Sequence, residues 1–374
     1  MPQAEAGRKT GVLPSQHLAR LVEDGGIAAA SADAPISKKQ IQPASIDLRL
    51  GATAYRVRAS FLAGAGATVA ERLRDFAMHE IDLTKGAALE TGCVYVVPLL
   101  ERLHLPGDVS GVANAKSSTG RLDLFTRLIT DCGTEFDRVE AGYRGPLYAE
   151  ISPRTFSVLA RTGDRLNQIR LRRGDAGFEA NEFARIQAER QLIEGAEPFQ
   201  QGLSFSVDLE PRGDGPVGYR ARPNSAIIDL AKLSHYDPAE FWDPLRPYRF
   251  GSGGSLGVIL DPGAFYILVS RESVTVPPDM AAEMTPYLAN VGEFRVHYAG
   301  FFDPGFGLDQ TGGAGARGVL EVRCHEAPFA LEHGQTVGAL VYETMLETPD
   351  ILYGDGIGSN YQAQGLRLSK HFQQ

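Results

Sequence analysis

Leu89-Glu90-Thr91-Gly92-Cys93-Val94-Tyr95 and Leu260-Asp261-Pro262-Gly263-Ala264-Phe265-Tyr266 share the frame Leu-x-x-Gly-x-x-Tyr and lie 171 residues apart. The same offset links Glu101, Pro106 and Asp108 to Glu272, Pro277 and Asp279, then Glu150 to Glu321 and Gly163 to Gly334. Chance matching of turn glycines and strand valines does not hold one offset over so many positions, so the chain reads as two copies of one domain. Upstream, Ser45-Ile46-Asp47-Leu48 echoes Ser206-Val207-Asp208-Leu209. Within the copies, Val94–Val97, Phe265–Val269 and Val337–Val341 have the length and content of strands, and 42 Gly and 22 Pro supply turns between such runs. The expectation is a mainly β chain with few helices and two tandem domains, 1–195 and 196–374. One helix is expected at the start, capped by Ser15 with Leu18, Leu21 and Val22 on one face. A second is expected between Ala176 and Leu192, connecting the halves.

Composition narrows the function. The chain has 374 residues, 43% apolar and 22% charged, with a formal charge of −9. Such a field repels nucleic acid and anionic membranes but leaves room for a local cationic pocket that takes a small anion. Cys93, Cys132 and Cys324 share no short spacing, which excludes a disulfide framework and a C-x-x-C metal site. Residues 1–9 lack the apolar run of a secretory signal, and no stretch approaches the roughly 20 apolar residues of a membrane span. A cytoplasmic protein without membrane or nucleic-acid partners is expected.

The copies differ where chemistry is expected. Lys116-Ser117-Ser118-Thr119-Gly120-Arg121 offers hydroxyls, a point charge and a planar guanidinium, groups that suit a polyphosphate. The frame of a Walker loop is absent. At the same offset the second copy has Tyr287-Leu288-Ala289-Asn290-Val291-Gly292, mostly apolar. The second copy instead carries His297-Tyr298-Ala299-Gly300-Phe301-Phe302-Asp303-Pro304-Gly305-Phe306, a Pro-Gly turn between aromatics able to hold a flat ring. Asp303 could accept from a sugar hydroxyl. Glu321 follows in the apolar run Gly318-Val319-Leu320-Glu321. A carboxylate entering a β core is either ion-paired or raised in pKa and suited to proton transfer. The first copy has the matching Glu140-Ala141-Gly142-Tyr143-Arg144-Gly145, then Tyr148-Ala149-Glu150. Last comes Tyr353 to Gln364, glycines alternating with amides and phenols, which suits a flap over a ligand.

Taken together, the Lys-Ser-Ser-x-x-Arg run, the His-x-Ala-Gly-x-x-Asp-Pro-Gly-Phe hairpin, the strand glutamate and the tail resemble the dCTP deaminase family of the dUTPase-like superfamily. Gln42-Pro43-Ala44-Ser45-Ile46-Asp47-Leu48-Arg49-Leu50-Gly51 is also similar to that family's opening. The resemblance implies two dUTPase-like β-barrel or β-clip domains. It implies hydrolytic deamination of dCTP to dUTP and ammonia, feeding pyrimidine deoxynucleotide supply, by a metal-free, glutamate-activated water. By position, Lys116, Ser117, Ser118 and Arg121 would hold the triphosphate, with Ser117 helping to place the water. Asp303, or Glu140 in the first copy, would receive the deoxyribose hydroxyl. Glu321 or Glu150 would be the general base. Val319 and Leu320, or Tyr148 and Ala149, would flank the base, and Tyr353, Asn360 and Gln364 would close over the phosphates. Lys116 stands where the family usually has arginine, Glu140 where it has aspartate, and Asn360 where it has lysine.

No protein-bound metal is expected, only Mg²⁺ with the triphosphate. Zinc deaminases carry H-x-E and P-C-x-x-C, and this chain has neither. The preferred arrangement is a composite site joining Lys116–Arg121 to Glu321, Asp303 and the tail. Its rival is a ring of three first-half domains using Glu150, and a homotrimer is the expected oligomer. A dUTPase, a bifunctional enzyme giving dUMP, and a non-catalytic deoxynucleotide sensor remain alternative readings.

Overall fold

The computed structural model describes residues 9–196, 198–199, 202–251, 254–286, 294–296, 300–324, 326–354 and 365–373. The first half builds a five-stranded sheet around the antiparallel strands Asn167–Arg173 and Val109–Ala115. It also builds a six-stranded sheet centred on Val94–His104 and Arg144–Pro153. The second half has two five-stranded sheets, one centred on Thr336–Thr344 and Met280–Pro286, the other on Phe265–Ser273 and Arg317–Cys324. Among the described residues these are open, clip-like sheets, not a closed barrel.

The sequence repeat is also a repeat of register. Strand Val109–Ala115 maps onto Met280–Pro286 at an offset of 171 at both ends. Glu150 faces Val96 across the ladder, and Glu321 faces Ile267 at the same offset. The turns explain the shared motif. Gly92 and Gly263 sit at φ 76° and 73°, a region in which a Cβ is strained. The tyrosine three residues on closes each turn: Tyr95 Oη accepts from the Glu90 N–H at 3.0 Å, and Tyr266 Oη from the Asp261 N–H at 2.8 Å.

The two halves do not sit as beads on a string. Val158–Leu159 pairs in parallel with Ile228–Asp229, a sheet that crosses the halves. The main core of the first half takes in Trp242, Phe265, Ile267, Val319 and Phe372 from the second. Trp242 packs edge-on to Phe156 at 5.3 Å and to Phe372 at 5.8 Å. A separate core around Leu203, Tyr266, Leu320 and Leu340 serves the second half.

Helix Ser15–Glu23 forms as expected, with Leu18 fully buried and Leu21 and Val22 packed on the core. Pro14, not Ser15, occupies the cap position. Ser15 is the first helical residue, and its hydroxyl donates to Gln16. The connector helix runs over Ala180–Arg190 and buries Phe183 in the second core. A further helix, Val69–Phe76, was not anticipated. Thr68 and Glu71 form a reciprocal capping box at its start, a signal visible as Thr-x-x-Glu.

Candidate active site

A cavity of about 470 Å³ lies between the halves. One wall comes from the first half: Asp47 in strand Ile46–Leu48, Lys116 to Thr119 with Arg121 and Leu122, and Asp164 to Leu166. The other wall comes from the second half: Met284, Phe301 to Asp303, Phe306, Val319, Glu321, Tyr353, Lys370 and His371. The structure therefore brings together Lys116, Ser117, Ser118, Arg121, Asp303, Val319, Glu321 and Tyr353, which the sequence reading had distributed over both copies.

Strand alternation decides which groups reach this space. Along Arg317–Cys324, Val319 and Glu321 face the cavity while Leu320 and Val322 enter the second core, so Leu320 can reach a ligand only through its backbone. Glu321 is buried, and loss of hydration pushes its pKa up to about 7. Arg121 opposes that rise, its Nε lying 3.7 Å from Glu321 Oε1. Arg121 is itself buried and donates from Nη1 to the Arg367 carbonyl at 3.1 Å. Lys116 to Arg121 takes the form of a single helical turn, Ser117–Gly120, in which Ser118 and Thr119 are buried.

Asp303 is held by a residue outside the sequence motifs. Arg170, fully buried in strand Asn167–Arg173, crosses from the first half and donates to Asp303 Oδ1 at 3.1 Å and to the Ala282 carbonyl at 2.9 Å. Its guanidinium lies 4.1 Å from the Phe301 ring centroid. Burial pushes the Asp303 pKa up and Arg170 pulls it back. The signal was present in Ile169-Arg170-Leu171-Arg172, where alternate residues put apolar groups on one face and arginines on the other. Asp47, part of both the Ser-x-Asp-Leu echo and the Gln42–Gly51 stretch, is ion-paired with Lys116 and lies 3.6 Å from Arg165.

The first-half counterparts lie elsewhere. Glu150 is opposite Arg127 in the ladder and accepts from it at 3.1 and 2.5 Å, while the Arg127 guanidinium is 3.5 Å from the Phe136 ring centroid. Glu140 is exposed, beside Arg138 at 3.0 Å. Tyr148 packs with Val57, Phe61 and Ile129 in a small satellite core, and Ala149 is buried in the main one. None of these four lines the cavity.

At the tail, the Tyr353 N–H donates to the Pro304 carbonyl at 2.8 Å and the ring packs on Phe306. Asn360 and Gln364 lie outside the described residues, as do His297, Tyr298 and Ala299 of the hairpin. The chain then returns to the first half, where Ser369 Oγ donates to the Ser118 carbonyl at 2.8 Å. No helix is long and apolar enough to cross a membrane, and no group of three His, Cys, Asp or Glu side chains could hold a metal ion, both statements applying to the described residues.

Fold and site together define a duplicated β protein with a composite, cation-rich cavity that holds two buried carboxyls of raised pKa, Glu321 and Asp303. Residues 9–175 match the family model of the 2′-deoxycytidine 5′-triphosphate deaminase N-terminal domain, and residues 179–372 match that of its C-terminal domain. The chain belongs to the dCTP deaminase family. It is 53% identical to a 2′-deoxycytidine 5′-triphosphate deaminase from Agrobacterium tumefaciens whose crystal structure superposes with a TM-score of 0.86, covering 94% of this chain and 100% of that one. Among curated relatives, a "dCTP deaminase, dUMP-forming" of Pseudarthrobacter chlorophenolicus is 29% identical over 185 residues, 48% of this chain and 86% of that protein. One of the same description from Corynebacterium glutamicum is 30% identical over 174 residues, 46% of this chain and 83% of that protein.

Proposed function

We propose that the chain hydrolyses dCTP to dUTP and ammonia in the cavity between its halves, with Glu321 as general base. The observation that carries this reading is the placement of Glu321, buried and with a pKa near 7, in the same cavity as Lys116, Ser117, Ser118 and Arg121. Water adds to C4 of cytosine, its first proton passing by way of the Glu321 carboxylate to N3. The remaining proton of the C4 hydroxyl then passes by the same carboxylate to the amino nitrogen, the C4–N4 bond breaks, ammonia leaves and C4 becomes a carbonyl. A carboxyl titrating near neutrality can both take and return that proton. Arg121 beside Glu321 favours the ionised form that accepts it.

In this reading Lys116, Ser117, Ser118 and Arg121 meet the triphosphate, and Ser117 also helps to place the water. Asp303, steadied by Arg170, receives the 3′-hydroxyl. The Val319–Leu320 backbone flanks the base, and Tyr353, Asn360 and Gln364 close over the phosphates. Mg²⁺ enters with the triphosphate as charge neutralisation. Chains associate as homotrimers in the cytoplasm, and light scattering of purified protein tests the trimer. The decisive assay is ammonia release from dCTP by wild type, Glu321→Gln and Glu150→Gln. Full activity in Glu321→Gln would end this reading, because the proton acceptor would then lie elsewhere.

A second reading ends at dUMP and pyrophosphate, favoured by the description of the curated relatives as dUMP-forming. Chromatography of the products from dCTP separates the two.

A further inference from the structure

Three more cations reach the cavity, Lys39, Arg165 and Lys370, and none belongs to a motif read from the sequence. Arg165 and Lys370 gather with Lys116. Lys116 is ion-paired with Asp47, and Arg165 lies 3.6 Å from its other oxygen. Lys370 is close enough that Lys116 pushes its pKa down and Asp47 pushes it up, burial having the larger downward effect. Of the other carboxylates of the cavity, Asp303 is engaged by Arg170 and Glu321 by Arg121, while Asp164 accepts from the Arg161 N–H at 2.7 Å and also pushes the Lys370 pKa up. Lys116, Arg165 and Lys370 against Asp47 and Asp164 leave this end of the cavity short of negative charge, in a chain that carries −9 overall.

Lys370 is also held in place from both sides. Ser369 Oγ donates to the Ser118 carbonyl at 2.8 Å, directly beneath the Lys116–Arg121 turn. The Lys370 carbonyl accepts from the Ser234 N–H at 2.9 Å. His371 meets Ser369 Oγ through Nδ1 at 2.9 Å and the Leu230 carbonyl through Nε2 at 3.3 Å. Phe372 is fully buried against Trp242. A lysine on a frayed terminus has none of these anchors.

We propose that Lys370, with Arg165 beside it, binds the polyphosphate of the nucleotide, and that the Ser369–Phe372 turn serves to hold it over the Lys116–Arg121 segment. The proposal rests on the nucleotide reading above and adds the charges that complete its polyanion subsite. An incoming polyphosphate relieves the repulsion between Lys116 and Lys370, which Asp47 and Asp164 only partly offset.

The test compares wild type, Lys370→Met and Lys370→Arg by steady-state kinetics on dCTP and by calorimetric binding of inorganic tripolyphosphate. Lys370→Met is expected to raise KM for dCTP and weaken tripolyphosphate binding by about 10- to 100-fold, the span of one lost charged hydrogen bond. The change in kcat should stay small, and Lys370→Arg should restore most of both. Unchanged KM and unchanged tripolyphosphate affinity in Lys370→Met overturn the proposal. So does a loss that Lys370→Arg does not repair and that a fallen thermal midpoint accompanies, since the turn would then be merely structural. If wild type releases no ammonia from dCTP, the deaminase reading fails, and tripolyphosphate binding still decides the role of Lys370.

Discussion

Replacing Glu321 by Gln separates two consequences of one burial. The side chain keeps its volume and loses its charge, within the same wall of the cavity. In the folded chain the carboxyl titrates near 7, against an ordinary value of 4.5. Folding therefore favours the protonated form. The stability this gives is fully present below pH 4.5 and is lost as pH rises through 7. At about 1.4 kcal/mol per pH unit, wild type gives up on the order of 3 kcal/mol between pH 4 and pH 8 that the amide variant does not. The attraction of Arg121 is already contained in that net shift, and Arg121 retains the Arg367 carbonyl as acceptor in the variant.

The measurement is denaturant unfolding of both proteins at several pH values, read as the difference between them. Other groups that titrate over the same range, such as half-buried Asp137 with its pKa pushed up to about 7 by lost hydration, cancel in that difference. The two proteins should be equally stable near pH 4, with Glu321→Gln gaining steadily above pH 5 and levelling off past pH 7. Over the same range the variant should lose dCTP deamination by about 10²-fold or more. Parallel stability curves from pH 4 to pH 8 would refute the burial argument, whatever the activity.

The acid limb of kcat/KM in wild type should fall near pH 7, because Glu321 must be ionised to accept a proton; a limb near pH 4 in a rate–pH profile removes it as the base. Arg121→Met takes away the charge that lowers the Glu321 pKa, so the same limb should move to higher pH, and a limb that stays or moves down contradicts the pairing. Glu150→Gln weakens the charged hydrogen bonds to half-buried Arg127 and should destabilise by about 2 kcal/mol while dCTP turnover persists below the melting point, as calorimetry and ammonia release would show. Arg170→Met strands Asp303 in a buried position. It should also destabilise by about 3 kcal/mol, and a double-mutant cycle with Asp303→Asn should return a favourable coupling.

Much of the fold was legible because its punctuation is local. Gly92 and Gly263 mark turns through a backbone conformation that few other residues adopt, and Tyr95 and Tyr266 close those turns from three residues away. The strands between them follow from apolar runs of the right length. Helix Val69–Phe76 was equally local, announced by Thr68 and Glu71, and was missed for want of a long apolar stripe. The choice between Glu150 and Glu321 was of another kind. Both are buried strand glutamates at equivalent positions, and what distinguishes their surroundings is a ladder register that sets Arg127 opposite Glu150. Register is a tertiary property, so sequence spacing left both carboxylates open. Lys370 gave no local signal at all, since its place depends on the chain returning to Ser118 after the tail.

The cavity also shows why duplication within one chain differs from association of identical chains. The two second-half carboxylates that line it, Glu321 and Asp303, are each met by a first-half arginine, Arg121 and Arg170. In a ring of identical domains every copy must keep both the cationic face and the acidic face, because each meets a neighbour on both sides. Covalent tandem copies are released from that requirement. The first half keeps Lys116 to Arg121 but has Glu140 at the hairpin and ties Glu150 to Arg127; the second keeps Asp303 and Glu321 but has Tyr287 to Gly292 where the cations would be. The shared core of Phe156, Trp242 and Phe372 fixes the two specialised faces against each other, so the electrostatics of the cavity is set by folding. Disrupting that core with Trp242→Ala should therefore change the titration of Glu321 as well as stability, although Trp242 does not line the cavity.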